Sequence, residues 1–198
     1  MSEMHKPHNK TQEEIERNRQ LIQRTEETNI STQLLRALEE EKQPTEQAKE
    51  ATDFALTFLD QITIYSIHEG WRDTNPLLGE APYAMDNASF VYWCYHKAGV
   101  QLRGGNKNHT VQTIKNDFNL TTVGNIGANL DYEDLAYGDI LFFYNDKHIG
   151  IYIGDGDFIS FLGTGANNPS GGLRKRNMIK GKWRNHFQGH VMRHREEA

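Results

Sequence analysis

The first 52 residues contain no Phe, Tyr or Trp while carrying 11 Asp/Glu and 8 Lys/Arg, so any hydrophobic core must come from residues 53–198, where all 3 Trp, 8 Tyr and 9 Phe lie. A segment with so little apolar surface cannot offset the entropy of ordering itself as a globule. It is nevertheless rich in helix formers, and Ile15, Ile22, Ile30, Leu34, Leu35 and Leu38 draw a thin apolar stripe along a charged helix. Thr11 with Glu14 reads as a capping box, Ser31 or Thr32 as the cap of a second helix, and Pro44-Thr45 as the start of a third. Residues 1–52 are thus expected to form a charged helical arm or linker. It either stays solvated or serves as a docking or self-association arm, its heptads being too few and irregular for a coiled coil.

From Ala51 the pattern changes. Phe54, Leu56, Phe58, Leu59, Ile62, Ile64, Tyr65 and Ile67 crowd into fourteen positions, and a buried helix is expected to begin here. Residues 71–82 read as a loop, after which Asp86 or Asn87 caps a helix over 88–98 that Gly99 ends. A short helix is expected around 110–117, followed by an irregular stretch to Asp134. Residues 139–144, 148–153 and 157–162 read as three strands with turns at Asp146-Lys147 and Asp155-Gly156, and a last strand covers 189–193. Helices first and an antiparallel meander afterwards make residues 53–198 an α+β domain.

The formal net charge of −5 argues against a nucleic-acid binder driven by counterion release. One Cys allows no internal disulfide. No apolar run reaches the length of a membrane span, and the Met-Ser-Glu-Met-His-Lys start lacks the apolar region of a secretory signal. The chain is therefore expected to have no membrane span and no export address.

Three segments carry the chemistry: Tyr83-Ala-Met-Asp-Asn-Ala-Ser-Phe-Val-Tyr-Trp93, Gly138-Asp-Ile-Leu-Phe-Phe143 and His148-Ile-Gly-Ile-Tyr-Ile-Gly154. Over about residues 83–192 they resemble, in order and spacing, the NlpC-type papain-like cysteine peptidases that cut bacterial cell-wall peptides. In that family a Cys at a helix N-terminus follows an Asp, and a His opens a facing strand. A thiol there feels the helix dipole and free backbone N–H groups, and an imidazole across from it completes a thiolate–imidazolium pair for acyl transfer. The resemblance implies a papain-like α+β fold and a peptidoglycan endopeptidase cutting stem peptides next to D-glutamate, with no metal or organic cofactor. It assigns Asn87 to the nucleophile position, His148 to the base, and Ser160, twelve residues on, to the group that orients the imidazole. Tyr83, Asp86 and Ser89 fall on the substrate and oxyanion side.

Two departures stand out. Asn87 has no ionisable nucleophile, so the chain as written is expected to be inactive, and Ser160 offers only a short hydroxyl where the family has His, Asn or Gln. Asn87 also has a simpler reading as a helix N-cap. Cys94, two turns into the helix, is expected to be inert core filling. Ser89 is nearer the helix start, but no base is expected to face it. His186, His190 and His194 recur every fourth residue, a spacing that the expected closing strand would scatter. Arg174, Lys175, Arg176, Lys180, Lys182 and Arg184 form a basic patch, either a solvated face or an attraction for anionic wall polymer. With no export segment expected, the resemblance favours a bacteriophage endolysin or virion-associated wall enzyme, cytoplasmic until released. The competing readings are a wall-binding or structural virion pseudo-enzyme and a papain-like acyltransferase or amidase.

Overall fold

The computed structural model describes residues 11–59, 64–65, 84–103, 109–130, 132–163 and 171–196. The chain divides into two compact units, Met1–Glu41 and Lys42–Ala198. In the first, helix α1 runs unbroken over Gln12–Glu41. Thr11 and Glu14 exchange backbone–side-chain hydrogen bonds of 3.0 and 3.4 Å at its start. The second cap expected at Ser31 or Thr32 does not form. Thr25, Thr28 and Thr32 each return their hydroxyl to the carbonyl four residues back, so these side chains are satisfied within a continuous helix. Ile15, Ile22, Ile30, Leu34, Leu35 and Leu38 are exposed. Among the described residues no helix is long and apolar enough to cross a membrane.

The second unit begins with α2 (Glu46–Thr57), capped by Thr45, whose hydroxyl accepts from the Ala48 N–H. The sequence read Pro44-Thr45 as one helix start and Ala51 as the beginning of a separate buried helix. One helix covers both, starting at the Thr45 cap and stopping at Thr57, and Ile64–Tyr65 form a two-residue strand, β1, parallel to β2 (Ala84–Met85). Apolarity put the buried part late because the buried face of α2 is small: Ala48, Ala51, Thr52 and Ala55. That face comes close to the sheet. Gly138 adopts φ +93°, and a Cβ there would stand 2.9 Å from both Cβ and O of Ala48, so both its conformation and its surroundings require glycine. Thr45 also bonds His194 Nδ1 at 2.7 Å. A chain starting at Lys42 keeps these contacts, whereas one starting at Ala51 loses the cap, Ala48 and the tie to His194. The shorter chain is expected to be less stable than the longer by about 2–3 kcal/mol in urea melts, and equal midpoints would refute this.

Helix α3 (Asn87–Lys97) buries Phe90, Val91, Tyr92, Trp93, Cys94 and Tyr95 in succession, so it is apolar all round and lies inside the core. Phe54 of α2 and Phe58, its C-cap, meet Trp93 at ring centroids of 4.8 and 5.0 Å. A short helix α4 (Val111–Lys115), boxed by Thr110 and Thr113, follows.

The remaining strands are β3 (Leu120–Gly124), β4 (Ile140–Phe143), β5 (His148–Gly154), β6 (Asp157–Leu162), β7 (Gly172–Asn177) and β8 (Phe187–His194). They form one antiparallel sheet in the order β3-β8-β4-β5-β6-β7. The inner strands read as continuous apolar runs because both faces are covered. Ile140, Phe142, Ile149, Ile151 and Phe161 pack with the helices, and Leu141, Phe143, Tyr152, Phe158 and Val191 pack on the other side with Met178 and Trp183. The sequence missed β3 and β7, the two edge strands. Thr121 and Thr122 are exposed in β3, and β7 carries Arg174, Lys175 and Arg176, so neither shows the apolar run of an inner strand.

Candidate active site

Asp86 has extended backbone and its carboxylate accepts the Ser89 N–H at 2.7 Å, while its carbonyl accepts the first intrahelical bond, from Phe90. Asp86 is therefore the cap and Asn87 the first helical residue. This corrects the reading of Asn87 as N-cap and frees its side chain. That side chain crosses to the sheet, where Nδ2 lies 2.9 Å from His148 Nδ1. His148 opens β5 directly after a tight turn, paired across the ladder with Phe143. Ser160, fully buried on β6, places Oγ 2.8 Å from His148 Nε2 and 2.6 Å from the Ile149 carbonyl.

With the Asn87 amide nitrogen turned to the ring, these contacts assign the protons. A carbonyl only accepts, so the single Ser160 hydroxyl proton goes to Ile149. Ser160 Oγ must then accept from His148, which puts the imidazole proton on Nε2. Nδ1 is left with its lone pair toward residue 87, where the Asn87 amide donates to it. With the amide in this orientation the chain of donors requires a neutral ring. Burial, and after it the Lys182 ammonium, hold the imidazole down at about 4 instead of the usual 6.5.

The sign of the resulting pH dependence follows from proton uptake. Between pH 4 and 6.5 the unfolded chain binds a proton at this histidine that the folded chain does not, so stability rises with pH. The contribution is fully present above about 6.5 and lost as pH falls toward 4, on the order of 3 kcal/mol in all. Urea melts at pH 4 and 7 should show this loss in the native protein and not in His148→Gln. An equal slope in both would refute it.

The turn between β4 and β5 is tightly held. Tyr144, Asn145 and Asp146 take φ of 56°, 56° and 59° in succession, a costly run for residues with a Cβ. Asp146 is fixed by His190 Nδ1 at 2.6 Å and by Lys115, which together hold its carboxyl below the usual range against its burial. Tyr144 stacks on His186 at 3.9 Å. His194 bonds Thr45, so the histidines at 186, 190 and 194 have separate partners. Among the described residues no cluster of three His, Cys, Asp or Glu is arranged for a metal ion.

Two features were not foreseen. His109 Nε2 lies 2.9 Å from Ser89 Oγ, both buried, so the expectation that no base faces Ser89 is wrong. The long gap between residues 89 and 109 hid the pair. Trp183 packs its ring 5.3 Å from that of His148, and only the lone aromatic in the Lys-Gly-Lys-Trp-Arg run marked it. Cys94 is fully buried, which pushes its thiol well up. Tyr83 lies outside the described residues.

A model of the NlpC/P60 family matches residues 76–192. The chain is 32% identical over 112 residues to the peptidoglycan DL-endopeptidase CwlO of Bacillus licheniformis, covering 55% of this chain and 21% of that protein. It is 35% identical over 79 residues to a probable endopeptidase of Mycobacterium tuberculosis, covering 39% of this chain and 17% of that one. The chain spans about a fifth of the length of these curated relatives. Among solved structures, NlpC2 from Trichomonas vaginalis shares the fold at a TM-score of 0.51 and 17% identity, over 76% of this chain and 47% of that chain.

Proposed function

Because this chain belongs to the NlpC/P60 family, we propose that residues 87, 148 and 160 form the catalytic line of a cell-wall peptidase cleft whose nucleophile position is held by Asn87. The hydrogen-bonded chain Asn87–His148–Ser160 carries this reading. It puts the bare nitrogen of a neutral imidazole against the first residue of a helix, where acyl transfer needs a thiol and its base. Peptidoglycan stem peptides are the substrate class, in keeping with the endopeptidase relatives.

Each residue's role follows from its position. A thiol at 87 would pass its proton to His148 Nδ1 and attack the peptide carbonyl. His148 would then return that proton to the leaving amine as the C–N bond breaks, leaving a thioester that water hydrolyses with the same base. Ser160 fixes the ring by accepting from Nε2. The N–H groups of Asn87 and Ala88 precede the first intrahelical bond and are available to a developing oxyanion. Asp86 sets the start of the helix, and Tyr83 is assigned to the same side. With Asn87 in place no thioester can form, and the same observation favours a second reading, in which the cleft holds stem peptide uncut. Digestion of peptidoglycan by the native protein and by Asn87→Cys, with fragments identified by mass spectrometry, tests the proposal.

A further inference from the structure

Trp183 sits in a short 3-10 segment, Gly181–Asn185, between β7 and β8. Its indole packs against His148, Phe143, Tyr144 and Phe158, with centroids 5.1–5.6 Å away. The residue is 6% exposed, yet among the described residues its Nε1–H has no hydrogen-bond partner, an unmet donor of a kind that native structures rarely leave. The Lys182 ammonium stands 5.6 Å from the same ring. Lys182 is exposed, and no carboxylate among the described residues pairs with it. The flanking Lys180 and Arg184 are exposed as well, and residues 180–186 contain no acid. Asp157 is bridged to Lys175 at 2.6 Å.

This is a cation with no carboxylate partner among the described residues, held over an aromatic floor one ring away from the imidazole that faces position 87. The floor restricts the lysine before any ligand arrives, which strengthens its attraction for an anion. The ammonium already acts on His148, where it adds to the effect of burial.

We propose that Lys182, seated over Trp183, is a carboxylate-binding subsite that selects peptides with a free carboxylate beside the scissile bond over their amidated forms. The proposal rests on the peptide-cleft reading above and adds a specificity to it. In a wall stem peptide that carboxylate is the α-carboxylate of D-glutamate, and the amidated form is D-isoglutamine.

The native protein allows an equilibrium test, because Asn87 leaves bound peptide uncut. Calorimetric titration with L-Ala-γ-D-Glu-L-Lys-D-Ala and with its D-isoglutamine counterpart should show the free acid binding about fivefold tighter at low salt. Lys182→Gln should equalise the two peptides and Lys182→Glu should reverse the preference, both with unchanged melting since the side chain is exposed. In parallel, sodium acetate at constant ionic strength should shift the Trp183 indole N–H resonance of the native protein but not of Lys182→Gln.

Equal affinity of the native protein for the two peptides would overturn the proposal. So would a preference that survives in Lys182→Gln. Failure of both peptides to bind, with the acetate shift present and dependent on Lys182, would uphold the carboxylate site and sink the peptide-cleft reading instead. Silence toward peptides and acetate alike would overturn the site itself.

Discussion

Asn87→Cys is expected to release peptidoglycan fragments that the native protein does not, with a rate roughly 10³-fold or more above the Asn87 background. The expectation follows from what already surrounds position 87. The helix start, the cap at Asp86 and the lone pair on His148 Nδ1 are in place, and on the proposed reading the nucleophile is the part that is missing. The substitution should also change the base. A thiolate in place of the neutral amide favours the imidazolium, so the His148 pKa should rise well above the value of about 4 in the native protein. The ring's carbon-bound proton resonances report this directly.

Two controls locate the chemistry. Adding His148→Ala to Asn87→Cys should abolish hydrolysis, while adding Cys94→Ala should leave most of it, because the Cys94 thiol is buried and held protonated. The reverse pattern would sink the assignment of the site. Folded Asn87→Cys that cuts nothing would shift the reading to a cleft that holds peptide without cleaving it.

Arg193→Met is expected to destabilise the domain by about 3–5 kcal/mol, a large part of a typical total stability. Arg193 Nε and Nη2 donate to the two oxygens of Asp139 at 2.7 and 2.8 Å, in a pair almost closed to solvent. The Ala136 N–H also donates to that carboxylate, at 2.8 Å. Burial pushes the Asp139 carboxyl up even with the guanidinium and the Ala136 N–H pulling against it. Without Arg193 the carboxylate would be stranded and would take a proton. The double variant Asp139→Asn with Arg193→Met removes both charges, so it should recover at least half of the loss. Urea melts of the two variants decide the matter, and a single-variant loss below about 1 kcal/mol would refute the pair's role.

The geometry of this domain divides cleanly between what neighbouring residues dictate and what distant ones do. Alternating and continuous apolar runs specified β4, β5 and β6, because inner strands covered on both faces leave that trace wherever they occur. Thr11, Thr45 and Thr110 marked helix starts, since a cap is a bond to a backbone N–H only a few residues on. The motifs around Asn87 and His148 carried the family, and with it the fold and the nomination of Ser160.

Edge strands β3 and β7 left no such trace. Their hydrogen bonds come from partners outside the local window, while most of their side chains are exposed or half-buried, Leu120 and Leu173 apart. Thr45 marked the start of α2, but the burial of its first turns left no trace for a related reason: alanines count little toward apolarity, and only the close approach of Ala48 to Gly138 makes that turn core.

Tertiary structure alone decided which side chain does what at the site. Asp86 and Asn87 are equally good caps by residue type, and the sequence left both open. Folding brings His148 within 2.9 Å of Asn87 and gives the cap to Asp86. The same is true of the imidazole's charge. Its neutrality comes from Ile149, Ser160, Lys182 and the surrounding aromatic rings, groups brought together from three separate stretches of chain. Residue type and local spacing fix bonds between neighbours. Burial and electrostatic environment are sums over whatever the fold brings near, and they exist only once the chain has folded.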